Sequence, residues 1–266
     1  MDIICLIKQV PDTTNVKIDP KTGTLIREGV PSIINPDDKH GIEAALQLKD
    51  KFGGKVTVVT MGPPQAEDAL KEAYAMGADD VVLLCDRAFA GADTLATSYA
   101  LATAVKSLGK FDLIICGRQA IDGDTAQIGP QVAEYLGLPQ ITYVRKIEFK
   151  DGKVKVERAT EEGFEVIEAK TPALLTVIGE LNIPRYPTVK RILDANRVLK
   201  IPVKTAKDIG AVETKIGLKG SPTWVKRTFA PEPKGKGEFI AGKTGDEKVQ
   251  VLINKLREKN VIGRCW

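Results

Sequence analysis

Four apolar runs, Ile3–Ile7, Lys55–Thr60, Val81–Cys85 and Asp112–Cys116, are each followed by a segment of helical period. A strand with one wet face alternates apolar and polar residues, whereas a run that is apolar throughout is buried on both faces. Two-sided burial needs helices above and below, so this half of the chain must fold as a parallel sheet joined by right-handed crossovers. The helices fit that demand. Lys39–Lys51 sets Ile42, Ala45 and Leu46 on one face, and after the Gly62-Pro63-Pro64 turn Ala66, Ala69, Leu70 and Ala73 recur at i, i+3, i+4, i+7 until Gly77 ends the pattern. Asp93 caps a helix carrying Leu101, Val105 and Leu108, and a fourth helix is expected over Asp124–Leu136, capped by Asp124 or Thr125 and closed by Gly137.

From Ile141 the period changes to two. Ile147 and Phe149 alternate with polar residues up to Asp151-Gly152, and Val154 and Val156 alternate after it, a hairpin signal. Phe164–Lys170 and Ala173–Ile178 are two further strands, so the sheet gains an antiparallel extension. The fold class is therefore α/β: a largely parallel, doubly wound, Rossmann-like sheet of the adenine-nucleotide-binding kind, with that extension, a C-terminal arm and a last helix. Residues 1–180 read as the nucleotide-binding domain. Residues 181–266 read as a second region: an extended Pro-, Gly- and Lys-rich arm or linker with one short helix near Val189–Val198, and a terminal helix, Asp246–Lys259, that suits packing on another chain.

Charge narrows the partners. The net charge is +4, yet residues 181–236 hold 13 Lys and Arg against 4 Asp and Glu. That skew fits a phosphate-bearing ligand or an acidic protein; without aromatic interleaving or a nucleic-acid motif, nucleic acid is excluded. Cys5, Cys85 and Cys116 fall inside apolar runs, Cys265 lies next to the end, and there is no CxxC pair, so the four cysteines read as buried thiols of a reducing, cytoplasmic compartment rather than a zinc or dithiol site. The first apolar run is broken by Lys8, so no signal peptide is expected, and no segment approaches the ~20 apolar residues of a membrane span.

In open parallel sheets ligands sit beyond the carboxyl ends of the strands. The loop after the fourth strand, Gly117-Arg118-Gln119-Ala120-Ile121-Asp122-Gly123-Asp124-Thr125-Ala126-Gln127, has glycines for close backbone approach and a guanidinium suited to phosphate; a solvated polar loop is the alternative. Asn35-Pro36-Asp37-Asp38 opens the first helix and reads either as a helix start or as part of the same site. The Gly91-Ala92-Asp93-Thr94 loop is rich in small residues and could admit a second ligand or be a plain loop. Gly237–Thr244 (GEFIAGKT) matches the phosphate-loop pattern in letters, but Pro and Lys precede it where a buried strand is needed, so it reads as chance. His40, the one histidine, suits a capping or surface role, and no catalytic constellation exists: any chemistry must come from a cofactor.

Together, Ile7-Lys8-Gln9-Val10-Pro11-Asp12, Gly29-Val30 with Asn35-Pro36, Ala75-Met76-Gly77-Ala78-Asp79, the Gly117–Gln127 loop and Leu181-Asn182-Ile183-Pro184-Arg185-Tyr186 resemble the beta subunit of electron-transfer flavoprotein over nearly the whole chain. The resemblance implies an alpha-subunit partner carrying a redox flavin. It also implies an adenine-nucleotide site on Leu6, Asn35, Pro36, Asp37, Asp38, Met61 and the Gly117–Gly129 loop. In simpler members that site holds a structural AMP; in bifurcating members it holds FAD, with NADH docking at the loop matching Gly91, Ala92, Asp93 and Thr94. Bifurcation sends electrons from NADH both to an acyl-CoA dehydrogenase or similar flavin dehydrogenase and to ferredoxin or flavodoxin. Many AMP-binding members have Lys in place of Arg118 and a Cys- and Asn-bearing loop in place of Gly123-Asp124-Thr125-Ala126, so the resemblance is to the bifurcating type. Tyr186 and Val189 fall in the segment that grips dehydrogenases, with Val189 replacing a frequent Leu and Asp194 a Lys. A regulatory nucleotide-binding domain of the universal-stress type shares the sheet but has no need of the basic arm or the terminal helix.

Overall fold

The structure is a computed structural model that describes residues 1–12, 17–18, 25–26, 31–224, 226, 235 and 237–263. Gly29, Val30 and Cys265, singled out above, lie outside the described residues. Residues 1–226 form one compact unit and residues 227–266 another.

The first unit is built on strands β1 (Asp2–Ile7), β2 (Gln9–Pro11), β3 (Lys17–Ile18), β4 (Leu25–Ile26), β5 (Ser32–Ile34), β6 (Lys55–Met61), β7 (Asp80–Leu84) and β8 (Leu113–Gly117). To these it adds β9 (Gln140–Lys150), β10 (Lys153–Thr160), β11 (Gly163–Lys170), β12 (Ala173–Val177) and β13 (Val203–Lys204). Its helices are α1 (Pro36–Phe52), α2 (Glu67–Met76), α3 (Thr94–Leu108), α4 (Ile128–Leu136), α5 (Val189–Arg197) and the short α6 (Gly217–Gly220). Among the described residues, one nine-stranded sheet runs β11-β10-β9-β12-β8-β1-β6-β7-β13, parallel from β9 to β13 and antiparallel over β9-β10-β11. Alternate residues of β1 feed two cores. Ile3, Cys5 and Ile7 pack with Ile42, Leu46, Leu70 and Ala73 of α1 and α2, while Ile4 and Leu6 pack with Leu101 and Val105 of α3 and Val132 of α4. Helices therefore cover both faces, as the apolar runs require.

The Asp151-Gly152 turn joins β9 to β10 with both residues at positive φ, 51° and 71°, the backbone of a tight hairpin turn. Two sequence expectations change. Ala173–Val177 belongs not to the antiparallel extension but to the parallel body: β12 lies between β8 and β9 and is buried along its length. The arm after Gly179 is also more attached than its composition suggests. The Asn182 side-chain amide donates to His40 O at 3.0 Å, Arg185 meets Glu43, Arg191 donates to Tyr74 O and Ala78 O, and β13 extends the sheet beside β7. A lone short strand such as Val203–Lys204 carries no periodicity to read.

In the second unit, α7 (Gly245–Glu258) is capped by Thr244, whose hydroxyl accepts from Glu247 N, while Glu247 accepts from Lys243 N at 2.7 Å. The residues of GEFIAGKT thus form an irregular lead-in and a helix cap, and the described residues just before them, 221–224, 226 and 235, include no strand. Among the described residues no helix is long and apolar enough to cross a membrane.

Candidate functional site

Strand order reverses between β1 and β8: the chain runs from β1 outward to β6 and β7, then returns to lay β8 on the other side of β1. A crevice opens beyond the carboxyl ends of the two strands at such a switch point. Asp38, in the first turn of α1, spans it. One carboxylate oxygen accepts from Lys8 N just past β1 at 2.8 Å, and the other from Gly117 N at the end of β8, also at 2.8 Å. Burial pushes the Asp38 carboxyl up to about 7, against the pull of these backbone donors and of Asn35. Asn35 is fully buried at 0% exposure, and its amide donates to Gln119 O at 2.8 Å while its carbonyl accepts from Ile121 N at 3.0 Å. Both side chains are committed to the chain's own backbone: they hold the loop after β8 in shape.

The loop is held from outside as well. Lys8 Nζ meets both oxygens of Asp122 at 2.7 Å. Gln119 donates to Asp124. Gly117 is required by space, since a Cβ there would lie 2.4 Å from Asp38 Oδ1. Asp37 stands 3.5 Å from Arg118 Nε, and burial raises its carboxyl against the nearby Arg118 and His40 charges.

The fourth helix begins later than the sequence suggests, at Ile128 rather than Asp124, and its N-cap position is Gln127. Neither Asp124 nor Thr125 caps it. Asp124 and Ala126 instead take left-handed backbone, φ 52° and 53°, at a cost of about 1 kcal/mol each for residues with a Cβ. Gln127 follows in right-handed geometry. A left-handed residue followed by a right-handed one turns consecutive N–H groups into a single concavity, an anion-binding arrangement. Among the described residues the N–H groups of Thr125, Ala126 and Gln127 have no acceptor.

The second candidate loop adjoins the first. Thr94 Oγ1 donates to Gln127 Oε1 at 2.9 Å, joining the start of α3 to the start of α4. Asp93 caps α3 through Ala96 N and also accepts from Thr223, and Asp93 N donates to Ser221 Oγ. Burial works against the Asp93 carboxylate, but these donors together hold it below its usual range. Gly91, φ 72°, sits where a Cβ would come within 2.7 Å of Leu218. Leu6 is buried within β1 and Met61 ends β6. Tyr186 and Val189 are exposed, at 94% and 75%. Among the described residues no group of His, Cys, Asp and Glu is arranged to hold a metal ion.

Residues 22–208 match the electron transfer flavoprotein domain. The chain is 56% identical to the electron transfer flavoprotein subunit beta of Thermoanaerobacterium thermosaccharolyticum, covering 98% of this chain and 100% of that protein. It is 54% identical to the caffeyl-CoA reductase-Etf complex subunit CarD of Acetobacterium woodii, again over 98% and 100%. With the acryloyl-CoA reductase electron transfer subunit gamma of Anaerotignum propionicum it shares 48% identity over 98% and 100%. The chain belongs to the electron transfer flavoprotein beta-subunit family.

In this family member the crevice gathers Leu6, Asn35, Asp38 and Gly117 at one switch point, with Asp37 and Arg118 beside it. Sequence reasoning missed Tyr143, whose ring faces the Arg118 guanidinium at 5.8 Å, and Thr176, packed behind it. Tyr143 lies in an alternating strand and carries no local mark of a site. Lys8 was visible as the charge that interrupts the first apolar run and as part of the Ile7–Asp12 motif, but not as a partner of Asp122.

Proposed function

We propose that this electron transfer flavoprotein beta subunit pairs with an alpha subunit and holds FAD in the crevice between β1 and β8. In this reading NADH docks at Gly91–Thr94, for flavin-based electron bifurcation in the cytoplasm. The electrons divide between ferredoxin or flavodoxin and an acyl-CoA dehydrogenase-type partner. The observation that carries the nucleotide reading is one loop that holds both the concavity at Ala126–Gln127 and Arg118, whose Nε pairs with Asp37 at 3.5 Å but makes no hydrogen bond to a described residue. Backbone N–H groups and an open guanidinium fork are what a diphosphate takes. Gly123, with nothing within 4 Å of its would-be Cβ, leaves room at the rim. FAD bound there would interconvert two-electron and one-electron transfer; the chain's own residues bind and orient it. The bridge from Thr94 to Gln127 supports two nucleotides lying side by side. The relatives named for caffeyl-CoA and acryloyl-CoA reductase complexes support an acyl-CoA-type acceptor. The exposed Tyr186 and Val189 suit its docking, and the exposed Val249 and Leu252 of α7 suit the alpha subunit.

The cradle also accommodates AMP, the ligand of a non-bifurcating subunit, and cofactor stoichiometry separates the two. Nucleotides released from the purified heterodimer are expected to be two FAD; one FAD with one AMP would remove bifurcation and keep the crevice. Arg118→Ala is expected to weaken FAD retention by about tenfold or more, from loss of charge-assisted hydrogen bonds, as read by flavin occupancy after dialysis. Truncation before Gly245 is expected to separate the subunits on a sizing column, and an intact heterodimer would refute that role of α7.

A further inference from the structure

The ladder between β9 and β12 slips by one residue. Ile141 opposes Leu175 and Val144 opposes Val177, so Thr142 and Tyr143 together face Thr176. Tyr143 absorbs the slip at φ 57°, a conformation that residues with a bulky side chain avoid. Its N–H leaves the backbone ladder and donates to Thr176 Oγ1 at 3.3 Å. Thr176 is buried and fixed from behind: a Cβ at Gly129, in the first turn of α4, would lie 2.4 Å from Thr176 Cγ2. Such a strained backbone persists only where its surroundings over-determine it, and it clusters at ligand clamps. The bulge presents the Tyr143 ring, 37% exposed, to the Arg118 guanidinium. Arg118 Nε is itself buried without a hydrogen-bond partner. A ring face attracts a cation through its quadrupole and occupies none of its N–H donors. The ring therefore holds one face of the guanidinium, whose Nε side pairs with Asp37 at 3.5 Å, without taking up the N–H donors of its fork.

We propose that Tyr143 is a positioning residue of the cradle: its ring, held by the β9 bulge, sets the Arg118 guanidinium to receive the phosphates of an adenine dinucleotide. This rests on the crevice reading above. The proposal separates two properties that a packing residue would join, because the conformation is unfavourable for tyrosine and easy for glycine.

The test titrates FAD into the nucleotide-stripped full chain, in the assembly in which it purifies, for Tyr143→Gly, Tyr143→Phe and Arg118→Ala, with urea unfolding of each. Tyr143→Gly is expected to leave the urea midpoint unchanged or higher, because it relieves the backbone. The same variant is expected to bind FAD about five- to tenfold more weakly, because the guanidinium loses its ring. Tyr143→Phe keeps the ring face and is expected to stay within about twofold of the parent. A lower midpoint with unchanged FAD affinity in Tyr143→Gly would overturn the proposal. Arg118→Ala separates the levels: unchanged affinity there removes the crevice reading itself. Weakened affinity there, with none lost in Tyr143→Gly, removes only the role of Tyr143.

Discussion

Gly117→Ala is expected to lower the free energy of unfolding by about 3 kcal/mol and to leave the crevice without nucleotide, read as a lower urea midpoint and flavin-free protein. The new methyl would meet Asp38 Oδ1 at 2.4 Å and the Asp37 backbone carbon at 2.8 Å. The backbone carbon cannot yield without moving the first turn of α1. The carboxylate can yield only by abandoning the N–H of Lys8 or of Gly117, each of which it accepts at 2.8 Å. Either way a buried donor is stranded at the switch point. Gly123→Ala, six positions along the same loop with open space at its Cβ, is the matched control and should keep the parent midpoint. Equal midpoints for the two variants would show that the loop is softer than its contacts imply.

The second large effect concerns pH. Asp38 lies at about 7 in the folded chain against an ordinary 3.8, raised chiefly by burial. The folded state therefore holds a proton that the unfolded state has lost, and the stabilising contribution is complete below about pH 4 and gone above about pH 7. Across that window the parent should lose roughly 1.4 kcal/mol of unfolding free energy per pH unit relative to Asp38→Asn, which cannot titrate. The variant should also be weaker at acid pH, because its amide turns an N–H donor toward either Lys8 N or Gly117 N. Unfolding curves for the two proteins at closely spaced pH values measure the difference, and parallel curves would contradict it.

How far the sequence could be read follows from what each residue answers to. The strands β1, β6, β7 and β8 are legible because burial on both faces leaves an unbroken apolar run, and the face of α2 and its N-cap is legible from Ala66, Ala69, Leu70 and Ala73, all buried. Asp151-Gly152 is legible because that dipeptide accepts positive φ at both positions. The place of β12 is not, because nothing in Ala173–Val177 says that it will pass over three antiparallel strands to pair with β8. Asp124 and Thr125 look like helix caps, and a cap differs from a left-handed loop residue only in backbone geometry that the letters do not carry. Asn35 and Asp38 were found as site residues from resemblance; that both spend their polar atoms on the crevice's own backbone follows only from the packing of α1 between β1 and β8. Tyr143 was invisible for a related reason: its importance arises from a register slip between strands far apart in sequence.

Glu43 accepts from the backbone N–H, Nε and Nη2 of Arg185, and His40 is joined to Asn182. Both acceptors belong to the helix whose first turn carries Asp38, with Glu43 little more than one turn farther on. The protruding hook from Ile183 to Tyr186 and the floor of the crevice are consequently riveted to one rod. The hook is thus tied to the protein twice, through the chain that leaves β12 at Val177 and through the side chains of α1, so a displacement of the hook is shared between the sheet and the helix that carries Asp38.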